Sequence, residues 1–435
     1  MLVPIEVQQP VTEPLTQRHR SEVTHAATAS ASMQAEDLIV VDEPPTKRSR
    51  CEASNPLSQP QSSSSASAPR PTPVLIRRNT NLCQDPDFDA ALILGYDDTP
   101  QALEDNTFCA LQNLGNTCYA NALLNALTKI PLMRFWLLQH QQLAAHDHAH
   151  PAGCLLCALA HDIARLATLP DNVPFPPSIV EKRSEWTDGW IFDNEDQQDA
   201  NDAFFKMLDT CNEIDFQALQ RTEVGANVLP MSRIAYTTPF WKLFGTLVRE
   251  ETHCATCAKS TIDHVYKSTH TIVVPEAGRH LIENVFMDQL GHEPLGSLEI
   301  PDHCTYDPAT PELGGCNARN TRHKTTTILQ CAPVLVLHLL RFTWDPQQRR
   351  PVKLQTHIDF ETVLPPITGT AHYDLRAVVQ HRGQHPTSAN SGHYTAYVRA
   401  SDAQWYHCDD WVQPRRCPVD EVRRAQAYML FYERR

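Results

Sequence analysis

From about residue 107 onward, apolar and polar positions recur with periods that specify structural elements. The run CYANALLNALTKI at 118–130 places apolar side chains at helical spacing and stops at Pro131. Residues 154–169 and 200–209 read as a second and a third helix. Beyond residue 233 the period changes. TTPFWKLFGTLVRE, STHTIVV, PVLVLHLLRF, YDLRAVVQH, HYTAYVRA and AYMLFYER are short runs rich in β-branched and aromatic residues, as strands are. Helices first and a long antiparallel β half afterwards predict an α+β fold.

Residues 1–105 carry no such pattern. They hold SQPQSSSSASAPRPTP, much Gln, Ser, Pro and Ala, and few aromatics. A segment of this kind buries too little apolar surface to offset its ordering entropy, so a mostly disordered tail is expected before a folded domain at 106–435. Phe88–Leu103 is expected to order in part. Within the tail, residues 36–43 (EDLIVVDE) resemble a SUMO-interacting segment, an apolar β-branched run that adds a strand to a small modifier protein. Lys47-Arg48-Ser49-Arg50, after Pro44-Pro45, suits a nuclear import signal.

Composition narrows the class. Hydrophobic residues are 41% and charged residues 20%, as in soluble globular proteins. A net charge of −14 disfavours direct nucleic-acid binding and favours a basic partner or substrate. No apolar run reaches the ~18 residues of a membrane span. The N-terminus lacks the basic-then-apolar pattern of a secretory signal, so a cytoplasmic or nuclear location is expected. In that compartment the 14 cysteines are thiols, metal ligands or a nucleophile rather than disulfides. Cys211, Cys331 and Cys417 are read as buried packing residues.

One cysteine stands apart. In Asn113-Leu114-Gly115-Asn116-Thr117-Cys118 a turn-and-cap sequence precedes the first helix, which sets the Cys118 sulfur at a helix N-terminus. The dipole and free N–H groups there favour thiolate, the form that attacks a carbonyl. The same amides suit an oxyanion, and Asn113 is placed to add a side-chain donor. A packed core cysteine is the competing reading of this stretch alone. A base is needed, and His393 enters a strand directly after Gly392, which leaves room for substrate backbone. A short loop between strands then sets Asp409, within WYHCDDWV, beside His393.

These stretches resemble the ubiquitin-specific protease family, papain-like cysteine peptidases that release ubiquitin. ALQNLGNTCYANALLNAL is similar to that family's Cys box and QQDANDAFFKML at 197–208 to its Gln-Gln-Asp box. PVLVLHLLRF, YDLRAVVQHRG, NSGHYTAYVR, WYHCDDWV and AYMLFY follow in the order of its His box. The resemblance covers about residues 107–435. It implies a helical thumb, an antiparallel β palm and zinc-braced β fingers. It further implies hydrolysis of the bond after the terminal glycine of ubiquitin on ubiquitinated proteins. In the roles it assigns, Cys118 is nucleophile, His393 base, Asp409 orienter, Asp410 helper and Asn113 oxyanion donor. Gln198, Asp199 and Tyr394 would contact substrate. The chain departs from the pattern at Ala110, Asn201-Asp202, Leu340 and Cys408, none of which removes a catalytic atom.

Cys254-Ala-Thr-Cys257 is a knuckle of the zinc-binding kind. The resemblance supplies Cys304 and Cys316 as its partner pair, for a structural Zn(2+) without a catalytic metal. Cys154-Leu-Leu-Cys157, with His146, His148 and His150 nearby, opens an apolar helix and is expected to be buried thiols, with a second metal site as the competing reading. Two further functions fit the residues: a protease for another ubiquitin-like modifier, and a binding scaffold without turnover.

Overall fold

The computed structural model describes residues 75–77, 108–140, 154–168, 173–181, 198–220, 238–291, 293–296, 301–304, 315–345, 349–383 and 392–435. All belong to the unit Ala66–Arg435. Residues 36–43 and 47–50, Phe88–Leu103, and His146, His148 and His150 lie outside them. Of residues 1–105 only Leu75–Arg77 are described, as a strand parallel to Ser260–Lys267.

Helices form one half of the described residues. These are α1 (Cys118–Thr128), α2 (Pro131–His140), α3 (Leu155–Thr168), α4 (Ser178–Glu181) and α5 (Ala200–Gln220). Pro131, expected to end the first helix, opens the second. Its fixed φ suits a first helical position, where no backbone donor is needed. The third expected helix runs eleven residues past its predicted end, to Gln220. A short helix α6 (Pro239–Phe244) occupies a stretch expected as strand. Its aromatic residues carry β propensity, but Phe240, Leu243 and Phe244 are buried at helical spacing behind an N-terminal proline. The strand begins only at Thr246.

The other half is built on an eight-stranded sheet. Its main order is Val412–Cys417, Trp405–Asp409, His393–Arg399, Tyr373–Arg382, Ala427–Arg434, Val334–Leu340, His270–Val273. Every pairing is antiparallel except the last, in which His270–Val273 runs parallel to Val334–Leu340. Both faces are covered, which explains the continuous apolar reading of VLVLHLL. Val334 and Val336 face the helices α1–α6 with Ala377, Val379 and Ala396. Leu335, Leu337 and Leu339 face a second core with Ile282, Phe286 and Trp405. A separate five-stranded sheet, centred on Thr246–Cys254, Ser260–Lys267 and Arg322–Gln330, ends at the Cys254–Cys257 knuckle. Among the described residues, no helix is long and apolar enough to cross a membrane.

Candidate active site

Cys118 is the first residue of α1 and is buried at 4% exposure. The turn before it is shaped by positive φ at Gly115 (99°) and Asn116 (50°). Asn113 organises that turn: its Oδ1 accepts from the backbone of Gly115 and Thr117, each at 3.1 Å, and from the Thr117 hydroxyl at 3.3 Å. The sequence placed the cap on the Gly-Asn-Thr segment itself. In the structure Thr117 makes no side-chain cap; its hydroxyl accepts from Leu114 N–H instead, and Asn113 does the holding.

His393 begins the neighbouring strand of the sheet. The strands His393–Arg399 and Trp405–Asp409 pair in the register Ala396–Cys408, which brings Asp409 to the His393 end. Asp409 Oδ1 lies 2.6 Å from His393 Nε2. That contact leaves Nδ1 for the Cys118 thiol, which also hydrogen-bonds the ring. The Asp409 carboxylate first, then the sulfur, raises the imidazole from about 6.5 to about 10. Asp409 shifts the other way, held low chiefly by His393, as the two halves of one ion pair should. A charged imidazolium beside a sulfur at a helix N-terminus is the pairing that nucleophilic cysteine chemistry uses.

On the side where a Cβ would project, Gly392 is packed. A side chain there would run into the His381 ring and approach the Arg382 carbonyl to 3.0 Å. The glycine is needed for packing behind the histidine.

Asp410 ties the halves together. It sits in the two-residue turn between Trp405–Asp409 and Val412–Cys417, at φ 38°, a region that Asp tolerates in tight hairpins. Its backbone carbonyl accepts from Leu111 N–H at 2.9 Å. Its carboxylate accepts from Asn113 Nδ2 at 2.7 Å and Asn121 Nδ2 at 2.8 Å. Burial pushes this carboxyl upward, and the two amide bonds oppose that. Asn121, one turn after Cys118, was missed in the sequence; a polar residue on a fully buried helix face was the available signal.

Asp199 and Tyr394, both expected to touch substrate, touch each other. Asp199 Oδ1 caps α5 through the N–H groups of Asn201 (2.7 Å) and Asp202 (3.2 Å). Its Oδ2 accepts from the Tyr394 hydroxyl at 3.5 Å and from the Tyr428 hydroxyl. Gln198 lies half-buried just ahead of them.

Cys254, Cys257, Cys304 and Cys316 converge. Cys254 and Cys316 sulfurs are 3.8 Å apart, Cys257 and Cys304 sulfurs 3.7 Å, and all four lie within 4.8 Å of one another. A tetrahedral ion with Zn–S bonds of about 2.3 Å sets sulfurs about 3.8 Å apart. The cluster can therefore hold a zinc ion.

Residues 109–432 match the family model described as ubiquitin carboxyl-terminal hydrolase. The chain is 28% identical over 329 residues to mouse ubiquitin carboxyl-terminal hydrolase 17-like protein D, covering 74% of this chain and 54% of that protein. Against human ubiquitin carboxyl-terminal hydrolase 17-like protein 10 it is 28% identical over 328 residues, with 74% and 55% covered. The chain thus spans about half the length of the curated relatives it matches. Among solved structures, the SAGA Ubp8/Sgf11/Sus1/Sgf73 deubiquitinase module bound to ubiquitin aldehyde shares the fold with TM-score 0.57 and 21% identity, over 77% of this chain and 70% of that one. The yeast SAGA deubiquitinase module carrying a mutant Sgf73 gives TM-score 0.58 at 21% identity, over 79% and 74%.

Proposed function

The chain belongs to the ubiquitin carboxyl-terminal hydrolase family, and from that premise we propose that it is a thiol-dependent deubiquitinase that cleaves the bond after the terminal glycine of ubiquitin. The observation that carries this is His393 held between Asp409 and Cys118, with Asp409 Oδ1 2.6 Å from Nε2.

The Cys118 thiolate attacks the glycine carbonyl carbon, forming the C–S bond and a tetrahedral oxyanion. Backbone N–H groups at the start of α1 and the second N–H of Asn113 Nδ2 stabilise that charge. The first N–H of that amide is spent on Asp410, which sets its direction. As the C–N bond breaks, the His393 imidazolium gives its proton to the departing amine, leaving a thioester. Neutral His393 then takes a proton from water, the hydroxide adds to the thioester, and collapse breaks the C–S bond. Ubiquitin leaves as the free acid and the thiolate–imidazolium pair is restored. Asp409 keeps the ring oriented and its charge balanced throughout.

The same proposal assigns Cys254, Cys257, Cys304 and Cys316 to a structural zinc ion bracing the five-stranded sheet. Four thiolate donors would leave such an ion no open position, so its contribution would be to stability and not to the chemistry. Gln198, Asp199 and Tyr394 are proposed to line the path of the ubiquitin tail. Residues 36–43 are proposed as a second, SUMO-directed contact.

The test is labelling of the purified chain by an electrophilic ubiquitin C-terminal probe beside Cys118→Ala. A covalent adduct on the wild type alone supports the proposal. Labelling only by a probe of another modifier moves the substrate to that modifier, and silence across the whole panel sinks the enzyme assignment.

A further inference from the structure

A recess opens where the end of α1 meets the start of α2 and two strands of the eight-stranded sheet. Lys129 and Arg134 line it from the helices, Arg376, Arg399 and Ser401 from the sheet. Among the described residues the lining holds these four cations and no carboxylate. The chain as a whole carries a net charge of −14, so the recess reverses the sign locally. We propose that it binds a phosphate-class oxyanion, the terminal group of a phosphate monoester or free phosphate. The proposal does not depend on the activity proposed above.

The cations are placed as a solvated surface patch would not place them. Lys129 is 7% and Arg134 9% exposed. Taking a cation out of water is costly unless an anion meets it. Arg134 lies in the first turn of the ten-residue α2, which holds no acidic residue. The helix dipole opposes a cation there and favours an anion. On the sheet side, Ala377 pairs with Val398, which sets Arg376 and Arg399 next to each other on neighbouring strands. Like charges so placed repel. Burial first, then the Arg376 charge, holds the Arg399 guanidinium below its ordinary value; Arg435 adds to this and Asp374 opposes it.

Two carboxylates stand behind the recess and balance part of this charge. Glu433 accepts from Arg376 Nε at 2.7 Å and from Leu132 N–H at 3.4 Å. Asp374 pairs with Arg435 at 2.8 Å and reaches Arg399 only at 3.9 Å. Lys129 Nζ lies 4.2 Å from the centre of the Phe108 ring and adds its field from that side. The enclosed part of the recess is about 20 Å³, room for one water-sized group. One oxygen of a tetrahedral anion fits inside, and the rest of the anion stays at the mouth, beside the exposed Ser401. Planar guanidinium groups match pairs of phosphate oxygens, which favours phosphate over a halide. The helix α1 starts at Cys118 and ends at this recess, and the strand His393–Arg399 starts at His393 and ends there too. A bound anion therefore ties together the far ends of the two elements that carry Cys118 and His393.

The test is thermal unfolding of the full chain in inorganic phosphate against chloride at matched ionic strength, with calorimetric titration of phosphate. Phosphate should raise Tm progressively where chloride does not, and the isotherm should show one saturable site per chain. Arg399→Gln should weaken phosphate binding about tenfold or more, as loss of a charged hydrogen bond does. Arg423→Gln, the same change of net charge at an exposed pair with Glu361, should leave the isotherm unchanged. Ser401→Glu sets a carboxylate at the mouth and should abolish phosphate binding without loss of Tm. Tighter binding of a short phosphoserine peptide than of inorganic phosphate would assign the site to a phosphorylated side chain, and the reverse order to a free phosphate. A phosphate effect no larger than that of chloride, or equal isotherms in Arg399→Gln and Arg423→Gln, would overturn the site. If Arg399→Gln fails to fold, the wild type and Ser401→Glu still decide.

Discussion

Asp410 and Asn113 lie 297 positions apart in the chain and share a hydrogen bond of 2.7 Å. With the bond to Asn121 and the backbone bond to Leu111, this makes Asp410 a bracket between the hairpin that carries Asp409 and the turn that presents Cys118. Neither half of the active site can set the distance from Cys118 to His393 on its own. The sulfur belongs to a helix and the imidazole to a sheet, and the bracket couples the two.

Replacing Asp410 by Ala removes one acceptor from two amide donors. Leaving them unpaired costs about 1–3 kcal/mol. A misplaced Asn113 amide also stabilises the oxyanion less well, a loss of about 10²–10³ in kcat for one such donor. The expected outcome is a modest fall in Tm and a large fall in kcat, with KM nearly unchanged. Asp410→Asn keeps one oxygen and should fall between. Steady-state kinetics on a ubiquitin C-terminal amide check this; a kcat unchanged in Asp410→Ala would show that the bracket is dispensable.

His393 sets the alkaline side of the pH profile. Its folded-state pKa of about 10 exceeds its ordinary value of 6.5, so the imidazolium persists through neutrality and is lost as pH rises through about 10. Any stability drawn from the Asp409 pair is fully present below about 6.5 and disappears over the same window. kcat/KM should therefore decline near pH 10, where the proton for the leaving amine is lost. Asp409→Asn removes the largest cause of the shift. Its alkaline limb should move down toward pH 6.5, with a lower plateau from the less firmly oriented ring. An unmoved limb would mean that another group titrates there.

The grouping of Cys118, His393 and Asp409 was readable because each member sits at an element boundary marked by local signals: Gly-Asn-Thr before Cys118, Gly392 before His393, a short turn after Asp409. Strand register then did the rest, since Ala396 opposite Cys408 carries Asp409 to His393. The bracket was not readable in the same way. Asn121 to Asp410 spans 289 positions, and no periodicity reports a contact that only the folded chain creates. The helix Pro239–Phe244 was misjudged because aromatic residues suit strands by propensity, while burial at helical spacing decided the outcome.

Gly392 offers a steric test. Alanine there drives a methyl group into the His381 ring, and overpacking of this kind costs about 1–3 kcal/mol. Because Gly392 adjoins His393, relief by backbone movement displaces the imidazole from Cys118. Gly392→Ala should lower both Tm and probe labelling. Gly392→Ala/His381→Ala should recover much of the labelling, since the clashing ring is gone. If the pair shows no coupling in a double-mutant cycle, the cost arises from backbone conformation rather than from His381.

Asp199 presents the last and most divided case, because one carboxylate serves two structural tasks at a position proposed to meet the ubiquitin tail. One oxygen caps α5, and the other accepts from the hydroxyls of Tyr394 and Tyr428, each buried in the sheet half. Asp199→Ala loses the cap, worth about 0.5–2 kcal/mol, and strands two buried hydroxyls. A fall in Tm is expected whatever the substrate does. Tyr428→Phe separates the tasks. It keeps the cap and the charge, removes one donor, and frees lone-pair capacity on Oδ2. If Asp199 also binds the basic ubiquitin tail, Asp199→Ala should raise KM for ubiquitin substrates about tenfold or more, by analogy with other charged hydrogen bonds. Tyr428→Phe should then leave KM unchanged or lower it. Equal KM changes in the two variants would confine Asp199 to joining α5 to the sheet, and the tail contact would have to be sought at Gln198 and its neighbours.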